Sequence, residues 1–166
     1  LLKDDLLETG VKMGSLAVSG SSDSMLSTFV GSCVALCLYD PVAKVGGLAH
    51  VMLPDSRGRG VPEGSEAKYA DYALNTMLQK MTSLGAEKDR IISKIAGGAK
   101  MFSNENADDS LFNVGERNSS AIKKLLGQLN IPLSGEILGA HSGRWVKFEL
   151  ATGKVRVSDR KGETII

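Results

Sequence analysis

From Ser27 to Pro54 the chain reads STFVGSCVALCLYDPVAKVGGLAHVMLP: two apolar, β-rich runs on either side of Asp40-Pro41-Val42-Ala43. A proline at the second of four such positions favours a turn, so the runs at 33–39 and 45–53 form an antiparallel hairpin. The hairpin is apolar on both faces and so must be buried. The rest of the chain supplies the cover. Residues 11–18 read as a strand, and 66–84 place Ala70, Ala73, Leu74, Met77, Leu78, Met81 and Leu84 at helical spacing before Gly85 stops the helix. Residues 90–96 form a strand that runs into Gly97-Gly98, and 103–118 form a mostly polar loop. Ser119 or Ser120 caps a second helix with the stripe Ile122, Leu125, Leu126 and Leu129, which Pro132 ends. Val146, Phe148 and Leu150 alternate, a turn follows at Thr152-Gly153, and Val155 and Val157 resume the pattern. Strands joined by hairpins with two helices between them predict an α+β fold, with two main helices covering mainly antiparallel sheet.

With 166 residues and no break in composition, residues 1–166 are expected to form a single domain, with 1–10 a short amphipathic turn or a tail. Twenty basic against nineteen acidic residues leave a formal charge of +1 without Lys/Arg blocks, so neither nucleic acid nor an anionic membrane is an expected partner. The uncharged stretch from Ser24 to Tyr39 is too short and too rich in Gly and Ser to span a bilayer. No basic segment followed by an apolar one opens the chain, which predicts a cytoplasmic protein.

Cys33, Cys37, His50 and His141 are the whole soft-ligand inventory. A Cys-x3-Cys start with His50 would need a second histidine near 54–56, where Pro54, Asp55 and Ser56 stand, so a structural zinc site is not expected. With the turn at 40–43, opposed hairpin residues have numbers summing to 83. Cys37 then faces Gly46, and Cys33 faces His50 on one side of the sheet. A thiol beside an imidazole is the minimum for a nucleophilic cysteine: the imidazole takes the thiol proton and later protonates the leaving group. The same spacing also suits a packed core pair, and the residues alone leave both readings open. Gly31-Ser32 permits a bend that exposes the thiol and its backbone N–H, which could serve an oxyanion. Gly46-Gly47 would keep the neighbouring floor free of side chains. Cys37 lacks a base and is expected to be a buried spectator, and His141 to lie in an exposed loop.

The string VGSCVALCLYDPVAKVGGLAHVMLPDS resembles the chemoreceptor glutamine deamidase family CheD, and the likeness continues through KYAD, KIAGGAKMF, NVGERN and GRWVKFELATGKV. The resemblance implies a fold similar to glutamine-deamidating toxins and papain-like cysteine hydrolases, built as an α/β sandwich. It implies hydrolysis of selected receptor glutamines to glutamate with release of ammonia, in some members also of glutamyl methyl esters. The implied substrate is a chemoreceptor cytoplasmic helix. A second implied partner is the CheC phosphatase, and a regulatory protein that activates CheC is the alternative function. Cys33 matches the family's nucleophile and His50 its base, and no cofactor or metal is required. The family's threonine, six positions before the cysteine, falls on Ser27, with Thr28 as its neighbour, so either hydroxyl could orient His50. Gly139-Ala140 stands where the family usually has two glycines.

Overall fold

The computed structural model describes residues 7–100 and 114–166. Two five-stranded sheets lie face to face. One has the order β1 (Leu7–Gly10), β3 (Ser24–Val30), β8 (Arg144–Glu149), β9 (Val155–Asp159), β10 (Gly162–Ile165). The other has the order β2 (Leu16–Ser19), β5 (Val45–Val51), β4 (Val34–Asp40), β6 (Ile92–Gly97), β7 (Leu133–Leu138). Helices α1 (Ala70–Ser83) and α2 (Val114–Gln128) pack on the outer face of the second sheet. The fold is therefore α+β, and its sheets are mixed: β1 runs parallel to β3 and β6 parallel to β7, while the other pairs are antiparallel.

Every residue of β4 and of β5 is buried. Alternation explains how. Val34, Leu36, Leu38, Val45, Ala49 and Val51 meet Leu74, Met77 and Ile122 of the helices, whereas Ala35, Cys37 and Leu48 meet Leu26, Val146 and Phe148 of the first sheet. The layers come so close at Gly46 that an added Cβ would lie 2.6 Å from Leu150. Gly46 and Gly47 thus serve interlayer packing and form no floor beside Cys33.

The hairpin differs from its expected register. Observed pairs sum to 85: Asp40 faces Val45, Cys37 faces Leu48, and Ala35, not Cys33, faces His50. The cause is Asp40. Its carboxylate accepts the N–H groups of Val42 and Ala43 at 2.9 and 3.1 Å, which makes Asp40 the last paired residue. The loop becomes 41–44, closed by Lys44 in the left-handed region (φ 54°). Because the shift is two residues, every side chain keeps its face.

Other boundaries also move. The strand expected over 11–18 is split, because the chain crosses there from the first sheet to the second, turning at Gly14 (φ 76°). Leu7–Gly10, read as a turn or tail, is a strand on β3, while residues 1–6 lie outside the described part. Helix α1 begins at Ala70, whose N–H is taken by the Leu53 carbonyl at 2.9 Å. Helix α2 begins at Val114, so Ser119 lies inside it and caps nothing; its hydroxyl donates to the Glu116 carbonyl. Of the polar loop expected at 103–118, residues up to 113 lie outside the described part, and 114–118 are helical.

Candidate active site

Strands β3 and β4 belong to different sheets, and residues 31–33 form the arch between them. The fold-back that Gly31 permits is therefore a crossing from one layer to the other. It leaves Cys33 half-buried at the mouth of the interlayer space, packed against the core that includes Val30, Ala35 and Ala96. His50 projects into that space from β5, on the face that Ala35 shares. Ala35, not Cys33, is the opposed partner of His50, and Cys33 lies two residues before Ala35, on the arch that leads into β4.

The third side chain comes from the first sheet. Thr28 Oγ1 lies 2.7 Å from His50 Nδ1 and donates to the Val11 carbonyl at 2.7 Å. A hydroxyl has one proton, and Val11 receives it, so Nδ1–H must donate to Thr28. That fixes the tautomer: Nε2 carries the free lone pair. Among the described residues nothing hydrogen-bonds Nε2, although it is buried. Leaving such an acceptor unsatisfied costs about 1–3 kcal/mol, which makes it a group that calls for a functional explanation. Ser27, the hydroxyl expected from the six-residue spacing, alternates to the opposite face of β3 and pairs with Lys147 and Gly10. Thr28, five residues before Cys33, is the residue brought to His50.

Backbone bonds steady the imidazole. His50 N–H donates to the Ser15 carbonyl and the His50 carbonyl accepts from Gly14 N–H, both at 3.0 Å. The crossing segment 11–15 thus holds His50 directly and Thr28 through Val11. Sequence reasoning missed this because a backbone carbonyl has no residue signature.

Burial sets the charge state. It lowers the His50 pKa from 6.5 to about 4, and it pushes the Cys33 thiol up. The resting pair is therefore a thiol and a neutral imidazole. Cys37 is fully interior, its thiol is pushed far up by burial, and Lys94 offsets only part of that. His141 is exposed, with Nδ1 3.1 Å from the Lys100 carbonyl.

The arch is held from behind. Gly98 N–H donates to the Cys33 carbonyl at 2.9 Å, and Ala99 N–H to the Gly31 carbonyl at 3.0 Å. Gly97 (φ 118°) passes so close that an added Cβ would lie 2.4 Å from the Cys33 oxygen, so only glycine fits. Beyond it, α2 packs backbone to backbone at Gly115 against Gly98, and Asn118 donates to the Met52 carbonyl at 2.8 Å. Among the described residues no group of three or more His, Cys, Asp or Glu is placed to hold a metal ion, and no helix is long and apolar enough to cross a membrane.

A thiol on an arch between two sheets, and an imidazole held in one tautomer by a hydroxyl from the facing sheet, define a candidate cysteine hydrolase of α+β class. The family model described as CheD chemotactic sensory transduction matches residues 52–159, and the chain belongs to the CheD family. Similar proteins include the probable chemoreceptor glutamine deamidase CheD of Methanococcus vannielii, 43% identical over 93% of this chain and 96% of that protein. The chemoreceptor glutamine deamidase CheD of Thermotoga maritima is 42% identical over 89% of this chain and 88% of its own, and a Pyrococcus abyssi relative is 41% identical over 96% of both. Among solved structures, the hypothetical protein YfiH of Bacillus licheniformis aligns with a TM-score of 0.47 at 15% identity, over 76% of this chain and 51% of that one.

Proposed function

We propose that this chain deamidates glutamine side chains of chemoreceptors, with Cys33 as nucleophile, His50 as base and acid, and Thr28 as the residue that orients His50. The observation that carries the reading is the proton order Nδ1–H to Thr28 to Val11, which leaves His50 Nε2 bare beside the Cys33 arch. The names of the family relatives supply the substrate class.

Nε2 takes the Cys33 proton as the sulfur attacks the glutamine Cδ, so no ion pair need exist beforehand. The oxyanion that forms can accept from the Cys33 N–H, for which no acceptor occurs among the described residues. When the tetrahedral adduct collapses, the C–N bond breaks and the imidazolium proton passes to the leaving nitrogen, releasing ammonia. Water, deprotonated by His50, then attacks the thioester carbon; the C–S bond breaks and the sulfur recovers its proton. The sum is glutamine plus water giving glutamate plus ammonia, with no other reactant.

The kinship with glutamine-deamidating toxins and papain-like hydrolases is part of this proposal, supported by the thiol–imidazole–orienting-group arrangement. The test is incubation with receptor cytoplasmic fragments, with ammonia and peptide mass followed together. Each converted site should add about one mass unit and release one ammonia. A fragment that binds yet shows neither change at any glutamine would overturn the proposal.

A further inference from the structure

Arg144 is 4% exposed at the start of β8, and no carboxylate pairs with it among the described residues. Its guanidinium donates instead to three backbone carbonyls: Nη1 to Ile137 at 2.8 Å and Gly97 at 3.2 Å, and Nη2 to Gly139 at 2.5 Å. A buried cation is costly unless its donors are used, and here they are spent on the ends of two strands rather than on a counter-ion. Those ends matter. Gly97 is the residue pressed against the Cys33 carbonyl, and the next two N–H groups hold Cys33 and Gly31. Gly139 N–H also returns to the Gly97 carbonyl at 3.1 Å, and Lys100 N–H donates to Ala140 at 2.8 Å. Residues 97–100 therefore form a strap, tied on one edge to the nucleophile arch and on the other to the end of β7, with the guanidinium at the junction.

We propose that Arg144 is a positioning residue for the nucleophile: by fixing Gly97 against the end of β7 it sets the strap that holds the Cys33 carbonyl back and keeps the Cys33 N–H aimed at the developing oxyanion. Arg144 touches neither thiol nor imidazole through its hydrogen bonds, and it acts only through the backbone. The planar fork suits the role, because its two terminal nitrogens divide the three carbonyls between them, whereas an ammonium is a single point charge. The inference rests on the deamidase reading for its chemistry, but its geometry can be tested without turnover.

The experiment compares Arg144→Lys and Arg144→Ala with the unmodified protein, using a short peptide with an aldehyde in place of the glutamine carboxamide, and the matching alcohol. The Cys33 sulfur adds to the aldehyde carbon as the C=O π bond opens, and the thiol proton ends on that oxygen or stays on His50 with the oxygen held as the oxyanion, so aldehyde affinity reads the nucleophile and its N–H together. Arg144→Lys should bind the alcohol within twofold of the unmodified protein and the aldehyde at least tenfold more weakly. The Gly98 and Ala99 amides should exchange faster. On receptor fragments kcat should fall at least tenfold with KM within twofold. If Arg144→Ala folds, added guanidinium should restore part of the aldehyde affinity; if it does not fold, Arg144→Lys alone decides. Unchanged aldehyde affinity, or equal losses for aldehyde and alcohol, overturns the positioning role. If the unmodified protein binds the aldehyde but deamidates nothing, the deamidase reading fails while the Arg144 comparison still stands.

Discussion

Thr28 and His50 come from opposite sheets and meet at 2.7 Å, and the Val11 carbonyl decides which of them donates the proton. The contact therefore ties the interlayer spacing to the tautomer of the proposed base. Losing the hydroxyl frees the ring to take the other tautomer, in which Nε2 is protonated and useless as a base. Thr28→Val should lower kcat by about ten- to a hundredfold, less than the roughly hundred- to ten-thousandfold of general acid–base catalysis itself because the imidazole remains, with little change in KM. Thr28→Ser should keep most activity. Ser27→Ala should stay within about threefold, since Ser27 lies on the other face. Steady-state deamidation of a receptor fragment checks the order; a larger loss for Ser27→Ala would return the role to Ser27.

The two thiols should separate cleanly. Cys33 is half-buried on the arch and Cys37 is fully interior, with its thiol pushed up by burial. Only the thiolate is nucleophilic. Iodoacetamide should label Cys33 well before Cys37 in the native protein, read by peptide mass spectrometry. Cys33→Ala should abolish deamidation, and Cys37→Ala should leave it within a few-fold. Faster labelling of Cys37 contradicts the assignment.

The pH profile follows from the His50 pKa of about 4. The active form carries one proton on the Cys33–His50 pair, and burial disfavours both the imidazolium and the thiolate. Protonating the imidazole, which removes the base, happens only as pH falls toward 4. The dependence of kcat/KM should be flat from pH 8 down to 5 and drop near 4. An acid limb centred between 6 and 7 would show that His50 is solvated.

Asp40 tests the fold rather than the chemistry. It is wholly buried, and burial alone would raise its pKa. The 2.8 Å Arg90 ion pair and the N–H groups of Glu87, Ala43 and Val42 overcome this and lower it from 3.8 to about 2. A depressed carboxyl stabilises fully above its unfolded value and loses that contribution as pH falls through the folded one. Stability should therefore fall as pH drops from about 4 toward 2. Asp40→Ala should cost about 3 kcal/mol at neutral pH by leaving the N–H groups of Val42, Ala43 and Glu87 unpaired and Arg90 with Glu87 as its remaining carboxylate. Urea melts at several pH values check both; a cost below about 1 kcal/mol would show that the turn closes without it.

Much of this was legible in the sequence. Apolar runs around Pro41 made the central hairpin, the stripes at Ala70–Met81 and Ile122–Leu126 made the helices, and strict alternation at Val146–Leu150 made β8. What stayed hidden has physical reasons. Asp40 moved the register through side-chain bonds to the turn, which residue type does not show. Strands β7 and β10 are short and partly or wholly exposed, so they carry no apolar alternation. In the proposed site, the expectation that His50 faces the first sheet survives the changed register, because a two-residue shift preserves the face. Choosing Thr28 over Ser27 required knowing where β3 leaves its sheet, and the Val11 and Arg144 contacts join segments far apart in the chain.

The central claim is that Cys33 carries the glutamyl group during deamidation. Rapid mixing with a receptor fragment, acid quench and intact mass should reveal a covalent adduct equal to protein plus fragment less about 17 mass units, the ammonia lost on thioester formation. Digestion should place it on Cys33, and Cys33→Ala should show neither adduct nor product. Glutamate formed at an undiminished rate by Cys33→Ala, with no adduct in either protein, would contradict the account.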